Sequence, residues 1–140
     1  RCPSMAVLPC FVWSGVDGLQ SLLPPAELAH GLHAGQAETS LMLHLAPELV
    51  GPSRPVDGAH GPGSIHAPPD GWSLEGAAPC AWLTSDLSET GVIGDARLAS
   101  IELGSQLEQA LISHWTQRFN SLLCSDWPPT KSVVDWPRKS

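Results

Sequence analysis

The chain reads as one domain with a long helix and short strand-like segments, and three observations carry that reading. One long amphipathic stretch, Ala96 to Leu123, places Leu103, Leu107, Leu111, Trp115 and Phe119 at every fourth position. Short apolar runs, Met5 to Trp13 and Cys80 to Thr84, have the length of strands rather than helices. The 140 residues, 42% of them hydrophobic, suit one core and one domain.

Met5 to Trp13 reads as a buried strand or extended segment, weakened by Pro9. Val16 to Leu23 is a short helix or a loop. Pro24-Pro25 cannot sit inside a helix but can begin one, so Ala26 to Ala29 forms a single turn. Glu38 to Leu45 is a helix with Leu41, Met42 and Leu45 on one face, limited by Pro47. A second apolar stretch, Leu45 to Val50, closes with Gly51-Pro52. Ser53 to Gly71, rich in Gly, Pro, His and Asp, is a long loop of the kind that is either a functional lid or disordered. Asp95 is a good N-cap for the long helix that follows. In that helix Ala110, Ile112, Leu122 and Leu123 broaden the apolar stripe, and Glu102, Gln106, Glu108, Gln109, Gln117 and Arg118 fill the other faces. Gly104 weakens its first turns and permits close packing against a neighbour. The domain therefore spans 1–124, and 125–140 is an irregular tail containing Trp127-Pro128-Pro129 and Trp136-Pro137.

Seven Lys and Arg against fourteen Asp and Glu give a formal charge of −7, with no basic stripe, which excludes a nucleic-acid partner. Charged residues make up only 15% of the chain, below the roughly 25% of an average domain. A surface of this kind is compatible with a homo-oligomer. Cys2, Cys10, Cys80 and Cys124 show no CxxC spacing and read as reduced, buried thiols of a cytoplasmic protein. There is no signal peptide, and no apolar run approaches the ~20 residues of a membrane span. The chain begins at Arg1 and its first methionine is Met5, so a fragment of a longer protein is expected.

The chemistry concentrates in His30 to Leu43, which holds two imidazoles, a carboxylate, an amide and two glycines ahead of an apolar helix. Glycine lets backbone approach a ligand, and histidine titrates near neutral pH. His33, oriented by Glu38, is the candidate general acid/base. The structural alternative is a pair of solvated loop histidines with Glu38 at the positive end of a helix dipole. The spacing of His30, His33 and Glu38 matches neither HExxH nor any closed zinc motif. His44 and His114 lie on helices. His60 and His66, with Asp57 and Asp70, are weaker candidates on a solvated flap. Ser88 to Asp95 resembles a phosphate-cradling turn at a helix start, but Asp95 would repel an anion there. GxSxG, P-loop and GxGxxG motifs are absent.

Two segments resemble the creatininase (creatinine amidohydrolase) family. His33-Ala34-Gly35-Gln36-Ala37-Glu38-Thr39-Ser40-Leu41-Met42-Leu43, followed by Ala46-Pro47-Glu48-Leu49-Val50, is similar to the family's HAGExETSLML segment and its following P-x-L-V. Ala81 to Ser88, then Gly91-Val92-Ile93-Gly94-Asp95 and the long helix, resembles the family's closing segment in order and spacing. The resemblance implies the C-terminal half of an α/β fold, part of a mainly parallel sheet flanked by helices, without the N-terminal half. It implies a hydrolase, an amidohydrolase acting on a C–N bond of a cyclic amide or formamide and dependent on zinc or manganese. His33 falls on the family's proton-shuttling histidine and Glu38 on the glutamate near it. His30 and Leu32, with Gly31, Gly35 and Gln36, fall in the substrate pocket. At the positions of His30 and Leu32 creatinine-specific enzymes carry acidic residues, so the resemblance does not extend to creatinine as substrate. Gln36 stands where many members have Glu, which removes a charge. The family's metal ligands, in a Glu-x-His segment, a following Asp and a later His-x-Glu, have no counterpart here, so the chain contributes no metal ligand. Two other readings stand beside the hydrolase: a catalytically inactive truncated paralogue, and a module that binds a small molecule without chemistry, to which the uncharged Gln36 is suited.

Overall fold

A computed structural model of the chain describes residues 8–58, 68–76 and 78–126, and its frame is the crossing of two helices. The short helices α1 (Leu19–Leu22) and α2 (Pro25–His30) lead into α3 (Gln36–Leu45) and a 3₁₀ turn at Pro47–Leu49. Strand β1 (Val56–Asp57), helix α4 (Thr84–Leu87), strand β2 (Gly94–Asp95) and the long helix α5 (Ile101–Leu123) follow. Pro24 precedes α2 and Pro25 occupies its first turn, where a missing N–H is harmless.

Gly104 sets the closeness of the α3–α5 crossing. A Cβ at this position would lie 2.0 Å from the Ser40 carbonyl oxygen and 2.7 Å from the His44 Cβ. Ser40 is fully buried in the contact. Its hydroxyl donates to the Gln36 carbonyl at 2.6 Å and accepts the Ser100 N–H at 3.1 Å. Ser100 in turn caps α5 by accepting the Leu103 N–H at 3.1 Å. His44 on α3 and Glu108 on α5 pair across the same crossing at 3.1 Å. The core gathers around this frame: Val16, Leu19, Leu23, Ala37 and Leu107 are buried, with Trp13, Leu41, Leu103 and Leu111 packed against them. The expectation for Gly104 and for the first half of the leucine stripe is met. Past Leu111, Ile112, Phe119 and Leu123 face water.

Three expectations are corrected. The mainly parallel sheet is not found among the described residues. The one sheet they form is antiparallel, pairing Val56 with Asp95 and Asp57 with Gly94. Parallel pairing needs strands joined by crossovers of a dozen or more residues. Here the first apolar run is turn and coil from residue 8 onward, and Leu8, Phe11 and Val12 are exposed. Cys80 to Thr84 is not an edge strand: Cys80 donates to the Ser73 carbonyl at 2.8 Å beside an isolated Ser73–Pro79 bridge. Thr84 then opens α4. Asp95 does not cap the long helix. Its carboxylate accepts the Arg97 N–H at 3.0 Å and grips the Arg97 guanidinium at 2.7 Å. The chain turns once more before Ser100 begins the helix. Residues 59–67 of the long loop, with His60 and His66, and residues 127–140 of the tail lie outside the described residues.

Candidate functional site

The two segments singled out by sequence meet at one backbone bridge. His33 and Ile93 form an isolated antiparallel pair. The Ile93 N–H donates to the His33 carbonyl at 2.7 Å, and the Leu32 N–H donates to the Ile93 carbonyl at 2.9 Å. Ile93 is 0% exposed, so the bridge is anchored in the interior. Directly after His33 the chain turns through Ala34, whose φ of 50° is left-handed, a conformation costly for a residue with a Cβ. The next turn of helix holds it there. The Glu38 carboxylate accepts the Ala34 N–H at 2.6 Å, and the Thr39 hydroxyl donates to the Ala34 carbonyl at 2.8 Å. The run Glu38-Thr39-Ser40 thus spends its three polar side chains on closing the His33 loop and locking α3 against α5.

His33 itself stays open. Its Nδ1 lies 3.8 Å from the Glu38 carboxylate, with the two side chains 53% and 45% exposed. That is too long for a hydrogen bond, but catalytic pairs commonly tighten only when substrate binds. With Nδ1 turned to the carboxylate, Nε2 is the nitrogen available to a ligand.

Behind this loop sits a carboxylate that sequence reasoning missed. Glu27, on α2, is 8% exposed and accepts the Ala37 N–H at 2.8 Å. Gly35, at the N-cap of α3, has no side chain to offer, so Glu27 caps the helix from another element and sits at the positive end of its dipole. The glycines around it follow from this. A Cβ on Gly31 would meet the Glu27 Cδ at 2.4 Å, and one on Gly35 would meet its Oε1 at 2.6 Å. A Cβ on Gly94 would lie 3.2 Å from the Cα atoms of both. The spacing Glu27…Gly31…Gly35, one helical turn and then a loop, was the signal available in the sequence.

The predicted site residues other than Gly35 are divided among three cavities. His33 and Glu38 border the largest, about 570 Å³ and walled mainly by apolar side chains. His30 and Gln36 face another of about 380 Å³, which Glu27, Asp57 and Asp95 also line. Gly31 and Leu32 lie on a small one of about 110 Å³. His30 and His33 thus line different cavities. Among the described residues no group of three His, Cys, Asp or Glu side chains is placed to hold a metal ion. The zinc or manganese that the resemblance implies does not fit the donors present among the described residues.

The phosphate-like turn is already filled. One carboxylate oxygen of Asp57 accepts the Glu89 and Thr90 N–H groups and the Ser88 and Thr90 hydroxyls, each at 2.9 Å. The other accepts the Gly58 N–H at 2.7 Å. These donors hold the Asp57 carboxyl far below the usual carboxylate range, the Thr90 backbone first, then Gly58 and the two hydroxyls. Asp57 is thus a clasp between β1 and the turn preceding β2, and not a loop metal ligand.

The geometry defines a class before it defines a family: a domain that presents one imidazole and one carboxylate at the mouth of an apolar cavity. The model of the family described as creatininase, creatinine amidohydrolase, matches residues 2–119, most of the chain, and the chain belongs to that family. No curated protein and no solved structure matches it significantly. Among the described residues no helix is long and apolar enough to cross a membrane.

Proposed function

We propose that the chain hydrolyses the C–N bond of a cyclic amide or formamide, with His33 delivering the proton to the departing nitrogen. The observation that carries this is the exposed His33–Glu38 pair at the mouth of the 570 Å³ cavity. Membership of an amidohydrolase family supports it. Water adds to the amide carbonyl carbon and gives up a proton as the C–O bond forms, and when the C–N bond then breaks the strongly basic nitrogen leaves only as it gains a proton. A histidine beside a carboxylate is suited to hold and pass that proton near neutral pH. Glu38 acts through His33, orienting the ring.

The test is hydrolysis of formamides and simple cyclic imides by the full chain, with zinc or manganese supplied, alongside His33→Ala. Turnover lost in the variant at an unchanged melting temperature supports the assignment. Turnover retained removes His33 from the mechanism. Binding of these amides without release of product favours the non-catalytic binding module.

A further inference from the structure

The cavity of about 380 Å³ is walled in part by two buried side chains whose hydrogen bonding is incomplete. Gln36 is 9% exposed. Its amide NH2 reaches the Leu98 carbonyl only at 3.5 Å, and its Oε1 accepts no hydrogen bond among the described residues. Glu27 is 8% exposed. Its Oε1 accepts the Ala37 N–H, while its Oε2 meets no donor among the described residues. Gly94, in the same wall, has no side chain to cover that oxygen; a Cβ there would stand 3.5 Å from it. A buried oxygen without a donor has given up its hydration uncompensated, and the cost is greater for a charged one. Two such oxygens in the wall of one cavity are matched to a ligand that brings its own donors. The surrounding charge selects the sign. Asp57 and Asp95 line the same cavity, and no cation is among the partners of Asp57. His30 is the one basic group among the described lining residues.

We propose that this cavity binds a small primary ammonium ion, whose N–H groups donate to Glu27 Oε2 and Gln36 Oε1. An ammonium carries donors and no acceptor, and its bond to a carboxylate is charge-assisted. An anion would instead meet the carboxylates of Glu27, Asp57 and Asp95. A divalent metal is not matched, because such ions take about four or more ligands, and no group of three is in place among the described residues. Pro24, Val56 and Leu98 offer apolar wall to a short carbon stem. The volume of about 380 Å³ lies within the roughly 300–1,000 Å³ of small-molecule sites. This site is separate from the His33 cavity, and binding there does not depend on hydrolysis at His33.

The experiment titrates the full chain with n-butylammonium chloride at neutral pH and follows methyl resonances by NMR. 1-Pentanol and pentanoate serve as neutral and anionic probes of similar length. Saturable shifts are expected at the Val56 and Leu98 methyls. Butylammonium should bind about tenfold more tightly than pentanol, and pentanoate should not bind. Glu27→Gln keeps an oxygen for the Ala37 N–H and removes the charge, whereas Gln36→Leu removes the amide at similar volume. Each should weaken butylammonium binding about tenfold. Where Glu27→Gln does not fold, Gln36→Leu decides by itself. Equal binding of the ammonium and the alcohol overturns the proposal. So does ammonium binding indifferent to Gln36→Leu, or shifts centred on Met42 and Leu49 of the His33 cavity. Binding that vanishes in about 0.5 M salt and responds to neither variant is diffuse attraction to an acidic chain, and overturns it as well.

Discussion

The two faces of α3 are finished differently. Toward α5 the helix presents Ser40, whose hydroxyl is bonded on both sides, and it meets Gly104 so closely that no Cβ fits between the backbones. Away from α5 it presents Leu41, Met42 and Leu45 to an open cavity with His33 and Glu38 at the rim. On the closed face Ser40, Ser100, His44 and Glu108 are all paired. On the open face the Glu38 carboxylate holds one backbone N–H and leaves His33 at a loose 3.8 Å. The difference teaches where chemistry can reside: committed groups hold the frame, and under-committed groups beside empty volume can serve a ligand.

Breaking the closed face has the largest expected effect. Gly104→Ala forces a methyl against the Ser40 carbonyl, a backbone atom that cannot rotate away. We expect a loss of about 3 kcal/mol in urea unfolding, at the upper end of overpacking costs. A variant as stable as the parent would mean that the helices cross elsewhere. Glu27→Ala comes next. It removes the cap from the Ala37 N–H at the start of α3, and a loss of about 1–2 kcal/mol is expected from the same measurement.

Asp57→Asn acts outside this crossing and reveals itself through pH. Its native carboxyl titrates below the ordinary carboxylate range. The stabilisation it provides is therefore fully present above the unfolded value of about 3.9 and fades as pH falls toward the native one. The gap in stability between parent and variant should be widest at neutral pH and narrow below about pH 4, read from unfolding curves at several pH values. A gap that widens in acid would contradict the clasp. The smallest effect on stability belongs to the open face. His33→Ala should change stability by less than about 0.5 kcal/mol, as expected of an exposed side chain, while removing turnover if the proposed chemistry holds. A large drop in melting temperature would instead make His33 structural.

Much of this arrangement was legible in the sequence. The four-residue leucine rhythm located the long helix, and Gly104 within it marked the close crossing. The segment from His33 to Leu43 located the loop and the family. Glu27 and Asp57 were not legible, because their partners lie on other elements: Ala37 is at the start of the next helix, and Ser88 to Thr90 lie some thirty residues on. The strand expectations failed for a related reason. Apolar runs identify residues that want burial, while a strand exists only if another segment supplies its hydrogen bonds.

What the sequence by itself determined is local: the periodicity that makes α3 and α5 helices, the prolines that begin α2, and the residue types gathered around His33. These follow from spacing along the chain and need no knowledge of what comes near. The tertiary structure alone decided which carboxylate would be enclosed and which would stay at an open cavity. Glu27 was drawn under a helix terminus, Asp57 into a nest of N–H groups, and Glu38 was left beside an imidazole at an open cavity. A carboxylate's role is set by the donors within about 3 Å of it, and those donors are brought there by folding.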